Sequence, residues 1–261
     1  MGIAGDVERA QVERRFGGVE RLLGARAFAA LRAAHVTVVG VGGVGSWAAE
    51  ALARSAVGRI TLVDLDHVAE SNVNRQVHAL DSTLGAAKGL AMAERIAQID
   101  AGCEVGVVDD FVTAENAARL LPADGILIDA IDQPRAKAAM IALARERRQP
   151  IVVCGAAGAV TDALALARAD LALVRGDPLL ASVRARLRRE HGFTRRAGER
   201  FGVVALYFDA PRAGAPACDA APGAPLACAG YGSIVTVTAT MGFAAAGVAI
   251  DFACRAPAPA R

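Results

Sequence analysis

The sequence is poor in cysteine and in aromatic side chains, and it carries almost no net charge. Aromatic residues make up 4% of the 261 residues, and there are five cysteines: Cys103, Cys154, Cys218, Cys228 and Cys254. No two of them stand three positions apart, so the paired C-x-x-C motifs of a four-cysteine zinc site are missing. Scattered cysteines do not build a secreted disulfide framework either, and a reducing cytoplasm is the expected compartment.

A strongly basic balance and an N-terminal apolar run are also missing. The net charge of +2 gives no global sign of nucleic-acid binding. Met1–Gly18 contains charged residues before any apolar run, so we expect no signal peptide. Ala220–Ile250 has no charged side chain and is long enough for a span of about 20 apolar residues. Because threonines and glycines interrupt it, we predict that 233–250 is a helix buried at a subunit interface, not a membrane anchor.

A glycine-rich loop follows the first predicted strand, Val36–Val39. The pattern G-x-G-x-x-G stands before a predicted helix from 45 to 56, and a fourth glycine opens the loop further. The first glycine permits a tight turn, the second lets the backbone approach a phosphate, and the third allows close packing of helix and strand. Free N–H groups at the helix start then face the anion. The glycines are Gly40, Gly42, Gly43 and Gly45.

Acidic and basic residues after the second predicted strand narrow the choice of nucleotide. Asp64 ends that strand and is typical of a residue that binds ribose hydroxyls, which by itself suggests NAD or FAD. Asp66, Asn74, Arg75 and Gln76 follow, and Lys88 stands in a later G-x-x-K run. A triphosphate needs such cations, because the guanidinium fork and the compact ammonium both bind phosphate. The alternative is that Arg75 and Lys88 are solvated surface charges.

Two acids leave the predicted strand at 125–129. Asp129 and Asp132 are expected at the carboxyl edge of the sheet, where ligands bind in open α/β folds. Mg²⁺ is held there through one or two carboxylates and the substrate phosphates, and we assign that role to Asp132. The alternative for Asp132 is a helix N-cap, because Gln133 and Pro134 open a helical stretch.

The order of these elements predicts an α/β fold. Strands near 36–40, 60–64, 104–109, 125–129 and 151–154 alternate with helices near 45–56, 85–100, 114–121 and 134–147. This alternation is typical of a Rossmann-like, doubly wound and mostly parallel sheet. We expect residues 161–167 to add a strand. We predict one domain, 1–261, with a nucleotide-binding core at 15–170 and an extension for substrate and dimer contacts at 171–261. A mobile loop is predicted at 211–230, because proline and glycine are frequent there.

The motifs GVGGVG, LVDLDHVAESNVNRQ, GAAK and DAID occur in an order that resembles the adenylating domain of the E1-like superfamily, with its ThiF, MoeB and HesA branches. The resemblance covers 15–170 and implies an enzyme that binds ATP and Mg²⁺. A substrate carboxylate attacks the α-phosphate in this family, which yields an acyl-adenylate and pyrophosphate. By this resemblance, Asp64 holds the ribose, Arg75, Gln76 and Lys88 contact the phosphates, and Asp132 ligates Mg²⁺.

Further segments resemble one branch, the bacterial tRNA threonylcarbamoyladenosine dehydratases. They include VERRFGGVERLLG, NRQVHAL, VVDDFVTAEN, DAIDQPRAKAAMIA and, near the C-terminus, CAGYGSIVTVTATMGF. The resemblance implies activation of a threonine carboxylate on a modified adenosine of tRNA, followed by ring closure with loss of water. It also implies a homodimer, with a cysteine desulfurase and a sulfur-acceptor protein as partners. A monovalent cation at the glycine-rich C-terminal turn is a further candidate cofactor.

Two other functions are also compatible with these motifs. One is an adenylyltransferase that activates the C-terminus of a ubiquitin-like sulfur carrier, against which the missing zinc cysteines argue. The other, of a different class, is an NAD-dependent oxidoreductase or a nucleotide-sensing module.

A local cluster of arginines is the one sign of RNA binding in the sequence. It consists of Arg184, Arg186, Arg188, Arg189, Arg195 and Arg196. The alternative is a solvated helix face, and Phe193 within the cluster is expected to be a packing residue. Cys228 is a candidate reactive thiol or else a small apolar residue, and Cys154 is expected in the core. Arg15 is a candidate to reach the ATP of a partner subunit.

Overall fold

The structure, a computed structural model, describes residues 3–212 and 232–255. Its strands are β1 (His35–Val39), β2 (Arg59–Val63), β3 (Glu104–Val108), β4 (Ile126–Asp129), β5 (Ile151–Cys154), β6 (Leu166–Asp170) and β7 (Val204–Phe208). Its helices are α1 (Ile3–Leu23), α2 (Ala25–Ala33), α3 (Gly45–Arg54), α4 (Lys88–Ile99), α5 (Ala117–Leu120), α6 (Pro134–Arg147), α7 (Pro178–Glu190) and α8 (Val235–Arg255).

The strands form one sheet in the order β3-β2-β1-β4-β5-β7-β6. Strand β6 is antiparallel to β7, and the other pairings are parallel. The mostly parallel, doubly wound sheet is therefore confirmed. The chain leaves β1 toward β2 on one side and continues later through β4 on the other. This reversal creates a crevice at the carboxyl ends of β1 and β4, which is where such folds bind ligands.

Side chains of the central strands alternate between two cores. Val36 and Val38 of β1 belong to the core under α3 and α8, whereas Val39 belongs to the core under α6 and α7. A pleated strand dictates this period of two. Because helices cover both faces, every residue of β1, β4 and β5 is buried, and these strands are mostly apolar.

Helix α8 lies against α3 inside the protein. A Cβ added to Gly242 would lie 2.5 Å from the backbone oxygen of Val44 and 2.9 Å from Cβ of Trp47, so glycine is needed for this crossing. Within the described residues α8 is the one helix long and apolar enough to cross a bilayer, and 56% of its most apolar window is buried. The predicted burial is confirmed, but it is against the chain's own helix. A subunit interface at α8 stays a prediction.

The strand predicted at 161–167 was misplaced. Residues 163–165 form a 3-10 turn, and β6 begins only at Leu166. The carboxylate of Asp162 accepts a hydrogen bond from the backbone N–H of Leu164 at 2.9 Å, and this local bond takes the chain out of the extended conformation. Strand β7 was missed, although it places part of the predicted extension inside the main sheet. Except for Pro211 and Arg212, the predicted loop 211–230 lies outside the described residues.

Candidate nucleotide-binding site

The glycine loop occupies the carboxyl end of β1. A Cβ on Gly45 would lie 1.8 Å from the backbone oxygen of Gly40, which leaves no room for a side chain. Gly40 has φ of +85°, and a Cβ there would lie 2.9 Å from Cγ2 of Ile131 in the turn after β4. A Cβ on Gly42, in contrast, would meet only Nε2 of Gln76, at 3.9 Å. The space above Gly42 is open, as phosphate approach requires.

No side chain among the described residues caps the N-terminus of α3, which carries the positive end of the helix dipole. The N–H groups of Ser46 and Ala48 donate to the backbone oxygens of Gly42 and Val44, whereas those of Gly45 and Trp47 have no backbone partner in the described part of the chain. Since α3 starts directly after the glycine loop, its positive end and the open space at Gly42 belong to one site. The local structure is that of an anion-binding helix start.

Asp64 braces the glycine loop from the end of β2. Its carboxylate accepts hydrogen bonds from the backbone N–H of Val41 at 2.6 Å and from that of Asp66 at 2.8 Å. Burial raises the pKa of Asp64, while these two N–H donors act to lower it. The structure thus gives Asp64 a loop-fixing role that the sequence did not indicate. Its binding of ribose stays a prediction.

Lys88 and Asp66 form an ion pair beside the loop. The Lys88 ammonium lies 2.7 Å from Oδ2 of Asp66, and the Lys88 backbone N–H donates to the Asp66 backbone oxygen at 2.9 Å. The Lys88 side chain is 7% exposed. The interpretation of Lys88 as a solvated surface charge is therefore wrong, since the side chain is buried and held by a specific partner.

Arg75 lies over the glycine loop. A Cβ on Gly43 would be 3.3 Å from Cγ of Arg75. The guanidinium donates from Nη1 to the backbone oxygen of Ser71 at 2.7 Å and to Oδ1 of Asn74 at 2.8 Å. Burial lowers the pKa of Arg75 from its ordinary value. Trp47, which the sequence analysis missed, donates from Nε1 to the Arg75 backbone oxygen at 2.9 Å and fixes this segment onto α3.

The start of α8 adjoins the same loop. Asn74 donates from Nδ2 to the backbone oxygen of Ser233 at 3.0 Å, so one amide group connects Arg75 with the segment that leads into α8. Cγ2 of Thr238 lies 3.2 Å from the position of a Cβ on Gly43. Asn74 therefore joins Arg75 to the segment before α8. Direct binding of the nucleotide by Asn74 stays a prediction.

Buried polar groups without partners lie next to these residues. Gln76 is 5% exposed and its Oε1 accepts no hydrogen bond from the described residues. His78 is 1% exposed, and neither ring nitrogen has a partner there. An unpaired buried polar atom costs about 1–3 kcal/mol. Both side chains thus have hydrogen-bonding capacity left over beside the glycine loop.

The buried imidazole of His78 leads to a prediction about pH. Burial, followed by the charges of Lys88 and Arg95, lowers its pKa to about 4. The native state therefore binds fewer protons here than the unfolded chain does, and stability should fall as pH decreases from about 6.5 to 4, by up to about 3 kcal/mol. We expect His78→Leu to remove this part of the pH dependence in urea unfolding measured at pH 7, 6 and 5.

The control for this measurement is His191→Gln, at the surface end of α7. Carboxylates also destabilise the fold in acid, but they do so equally in wild type and variants. The difference between wild type and His78→Leu isolates the histidine. Identical pH profiles for the two proteins would contradict the assignment.

The two acids after β4 have different environments. Asp129 is the last residue of β4 and thus stands at the carboxyl edge of the sheet, as expected, but its side chain is fully buried and pairs with Lys137 at 2.9 Å. Burial raises the pKa of Asp129, while the Lys137 charge acts to lower it. Asp132 is half-buried and forms no hydrogen bond or ion pair with the described residues. The N-cap of α6 is Gln133, whose side chain makes no capping bond, so the N-cap role for Asp132 was wrong.

Asp132 fits a magnesium ligand by its chemistry and position. It offers a carboxylate that has no partner among the described residues at the edge of the crevice, and substrate phosphates would complete the shell of the ion. The described residues contain no group of three or more His, Cys, Asp or Glu side chains that could hold a metal ion alone. Magnesium, but not an all-protein metal centre, matches this donor set.

The arginine cluster lies far from the crevice. The N-cap of helix α7 is Asp177, whose carboxylate accepts a hydrogen bond from the backbone N–H of Ala156, just beyond the carboxyl end of β5. Because α7 has 13 residues and is therefore about 20 Å long, its C-terminal end lies at the opposite edge of the sheet. Arg145, at the end of α6, contacts the same region by donating to the backbone oxygen of His191.

Members of the cluster also differ in how much charge they expose. Arg186 and Arg189 pair with Glu190 at 3.0 and 2.7 Å, and Arg184 and Arg188 are half-buried. Arg195 and Arg196 are exposed. Phe193 is 4% exposed and lies under Arg145, so the prediction of a packing residue is confirmed.

Arg15 and the cysteines lie outside the nucleotide site. Arg15 donates to the backbone oxygen of Ile99 at 2.6 Å and lines a cavity of about 420 Å³ with Arg54, at the end of α3 that is remote from the glycine loop. Its reach into a partner subunit stays a prediction. Cys154 is 1% exposed, which confirms a core cysteine, and its burial raises the thiol pKa to about 12. Cys228 lies outside the described residues.

The fold and this site define a Rossmann-type nucleotide-binding protein whose crevice combines a phosphate loop with two cations and a free carboxylate. Known proteins agree with this class: the ThiF family model matches residues 18–260. The chain is 44% identical to the tRNA threonylcarbamoyladenosine dehydratase of Escherichia coli K12, over 89% of this chain and 90% of that protein. Identity to the enzyme of the same name from Haemophilus influenzae is 38%, over 96% and 97%.

A solved structure gives the same result. The E. coli tRNA N6-threonylcarbamoyladenosine dehydratase in complex with ATP superposes with a TM-score of 0.83 at 42% identity, covering 92% of this chain and 94% of that one. The chain therefore belongs to the ThiF family and, within it, to the tRNA threonylcarbamoyladenosine dehydratases.

Proposed function

We propose that this protein uses ATP to cyclise N6-threonylcarbamoyladenosine in tRNA. The threonine carboxylate attacks the α-phosphorus of ATP, pyrophosphate leaves, and an acyl-adenylate forms. A nucleophilic atom of the same modified side chain then attacks the activated carbonyl carbon and displaces AMP. The carboxyl oxygen that AMP carries away, together with the proton released by the attacking nucleophile, accounts for the net loss of water from the nucleoside.

The chain's own residues suit the first step. Attack of a carboxylate on ATP brings anions together, and positioned cations must offset their repulsion. Arg75 over Gly43 and Lys88 beside Asp66 supply two such charges, and the N-terminus of α3 supplies N–H donors. Magnesium bound at Asp132 would neutralise further phosphate charge. The protein needs to do little covalent chemistry, and positioning dominates.

One observation carries the proposal. Arg75, Lys88 and Asp132 come from three separate sequence motifs, and the fold collects them around the glycine loop in the β1/β4 crevice. A dehydrogenase would need that space to remain accessible for hydride transfer. The substrate class rests on the names of the close relatives, with which the chain aligns over most of its length.

Mass spectrometry of tRNA nucleosides tests the reaction directly. tRNA that carries threonylcarbamoyladenosine is incubated with the protein, ATP and Mg²⁺, then digested. The expected product is a nucleoside lighter by one water, formed only with ATP. Unchanged nucleoside in a preparation that binds ATP would contradict the proposal.

The alternative substrate is a ubiquitin-like sulfur carrier, and ATP–pyrophosphate exchange separates the two. We expect modified tRNA, and not a carrier protein with a C-terminal diglycine, to stimulate the exchange. Stimulation by the carrier alone would favour the adenylyltransferase. Tight binding of NADH without affinity for ATP would instead support an oxidoreductase.

We further infer that the arginine cluster binds the tRNA backbone away from the reacting nucleoside. Arg195 and Arg196 are its exposed members without a paired acid among the described residues. Replacing either by alanine should weaken tRNA binding and reduce the slope of log K against log salt by about 0.7–0.9 per lost phosphate contact. Filter binding at several salt concentrations measures this, with Arg26→Ala on α2 as the control. An unchanged slope in both variants would contradict the assignment.

The remaining inferences from the resemblance are a homodimer in the cytoplasm and a sulfur-relay pair of partners. A monovalent cation near the C-terminal glycines and a reactive Cys228 belong to the same set. Sedimentation at micromolar concentration tests the dimer. Alkylation of Cys228 followed by the cyclisation assay tests the thiol.

A further inference from the structure

Lys137 is a charged residue in the middle of the core. It lies on α6, its side chain is 0% exposed, and it is among the largest fully buried side chains of the described residues. Lys137 has no role in the reaction proposed above. A buried ammonium is costly unless each of its donors is paired.

All acceptors of this ammonium lie in one short turn. Nζ of Lys137 donates to Oδ1 of Asp129 at 2.9 Å, to the backbone oxygen of Ile131 at 2.9 Å and to the backbone oxygen of Asp129 at 3.4 Å. The donors are thus satisfied by the carboxyl end of β4 and the two residues after it.

The same turn forms one wall of the nucleotide crevice. The backbone N–H of Ala130 donates to the oxygen of Val39 at 2.9 Å, which joins the turn to the end of β1. Cγ2 of Ile131 lies 2.9 Å from the position of a Cβ on Gly40. Asp132, the candidate magnesium ligand, is the next residue. A displacement of this turn would move both Ile131, which lies beside Gly40, and the carboxylate of Asp132.

We propose that Lys137 is a positioning residue that fixes the turn at 129–132 so that Ile131 supports Gly40 and Asp132 faces the bound phosphates. The proposal deepens the proposed function and rests on ATP binding at this site. A well-packed apolar pair often stabilises a core as well as a buried ion pair does. Stability alone therefore gives no reason for an ammonium here, whereas three bonds from one group to one turn do.

Two double variants separate positioning from stability. Asp129→Leu/Lys137→Met replaces the pair by apolar side chains, and Asp129→Asn/Lys137→Met replaces it by a neutral polar one. Each removes the bonds to the turn without leaving an unpaired buried charge. Ile141→Ala, one turn further along α6, serves as the control for a loss of core packing that leaves the turn intact.

The measurements are thermal melting and ATP affinity by titration calorimetry, with Mg²⁺ and with EDTA. We expect at least one double variant to melt cooperatively, to bind ATP about tenfold or more weakly, and to gain less affinity from Mg²⁺ than wild type. Ile141→Ala should lower the melting temperature and keep its ATP affinity. ATP affinity within twofold of wild type in a folded double variant would overturn the proposal.

Two further results complete the test. Absence of ATP binding by wild type would refute the proposed function itself, which distinguishes the two failures. If neither double variant folds, hydrogen exchange on wild type decides: peptides covering 129–133 should exchange as slowly as β4. Exchange there as fast as in the loop after β3 would show that Lys137 does not hold the turn.

Discussion

Asp132→Ala is expected to abolish cyclisation and to leave the fold intact. The Asp132 carboxylate forms no hydrogen bond or ion pair with the described residues, so its loss should not weaken the fold. The melting temperature should therefore stay within a few degrees of wild type. Loss of a group that holds a phosphate-bound metal ion removes several kcal/mol of charge stabilisation. Since each 1.36 kcal/mol is a factor of ten, kcat/KM should fall by about 10³-fold or more.

The assay for this variant is formation of the cyclic nucleoside under single-turnover conditions, at several Mg²⁺ concentrations. Asp132→Asn, which keeps the shape of the side chain, should be almost as inactive because an amide oxygen is a weak substitute for a carboxylate. Glu146→Ala, at the far end of α6, is the control and should be fully active. Cyclisation by Asp132→Ala at the wild-type rate would refute the metal site.

The second large effect is expected from two glycine substitutions in the glycine loop. Both should weaken ATP binding, one by distorting the loop and the other by filling the space that a phosphate needs. In Gly45→Ala the new Cβ would lie 1.8 Å from the backbone oxygen of Gly40, so the backbone must move. Overpacking of this kind costs about 1–3 kcal/mol or more and lowers the melting temperature of a chain of this size by roughly 5–10 °C. ATP binding is lost as well, because the loop changes shape.

Gly42→Ala should leave stability almost unchanged. The nearest atom to its Cβ is 3.9 Å away, and the backbone there does not require positive φ. The methyl group would instead occupy the space through which a phosphate approaches the backbone. We expect ATP affinity to fall about tenfold or more, while the melting temperature stays within about 2 °C of wild type.

Thermal melting and ATP titration on the two variants side by side provide the check. If Gly42→Ala bound ATP normally, the phosphate would not lie over this glycine. If Gly45→Ala were as stable as wild type, the helix–strand contact would be less tight than the structure indicates.

The candidate site could be predicted from the sequence to the extent that its residues stand in local motifs. Gly40, Gly42 and Gly45 have a fixed spacing because each serves one short strand–turn–helix unit. Lys88 and Asp132 carry chemistry that a phosphate requires, and the parallel sheet predicts which edge they share. Each of these motifs spans only a few residues, and over such short segments backbone geometry limits the conformations that the chain can adopt.

Residues that act through distant contacts were missed. Trp47 and Lys137 look like ordinary helix residues in the sequence, and nothing nearby shows that their donors reach Arg75 and the turn after β4. The antiparallel pairing of β6 and the inserted strand β7 were not predicted either, since they depend on residues far apart in the chain.

By itself, then, the sequence determined the alternating α/β order and the glycine loop between β1 and α3, because strand and helix periods and turn requirements are local properties of the backbone. Tertiary structure alone decided that Asp129 is buried while Asp132 is free, that α8 packs within its own chain, and that the arginine cluster lies at the far edge of the sheet. Burial and proximity arise from packing between elements, and a charge has a different function in the core, at the crevice or in solvent.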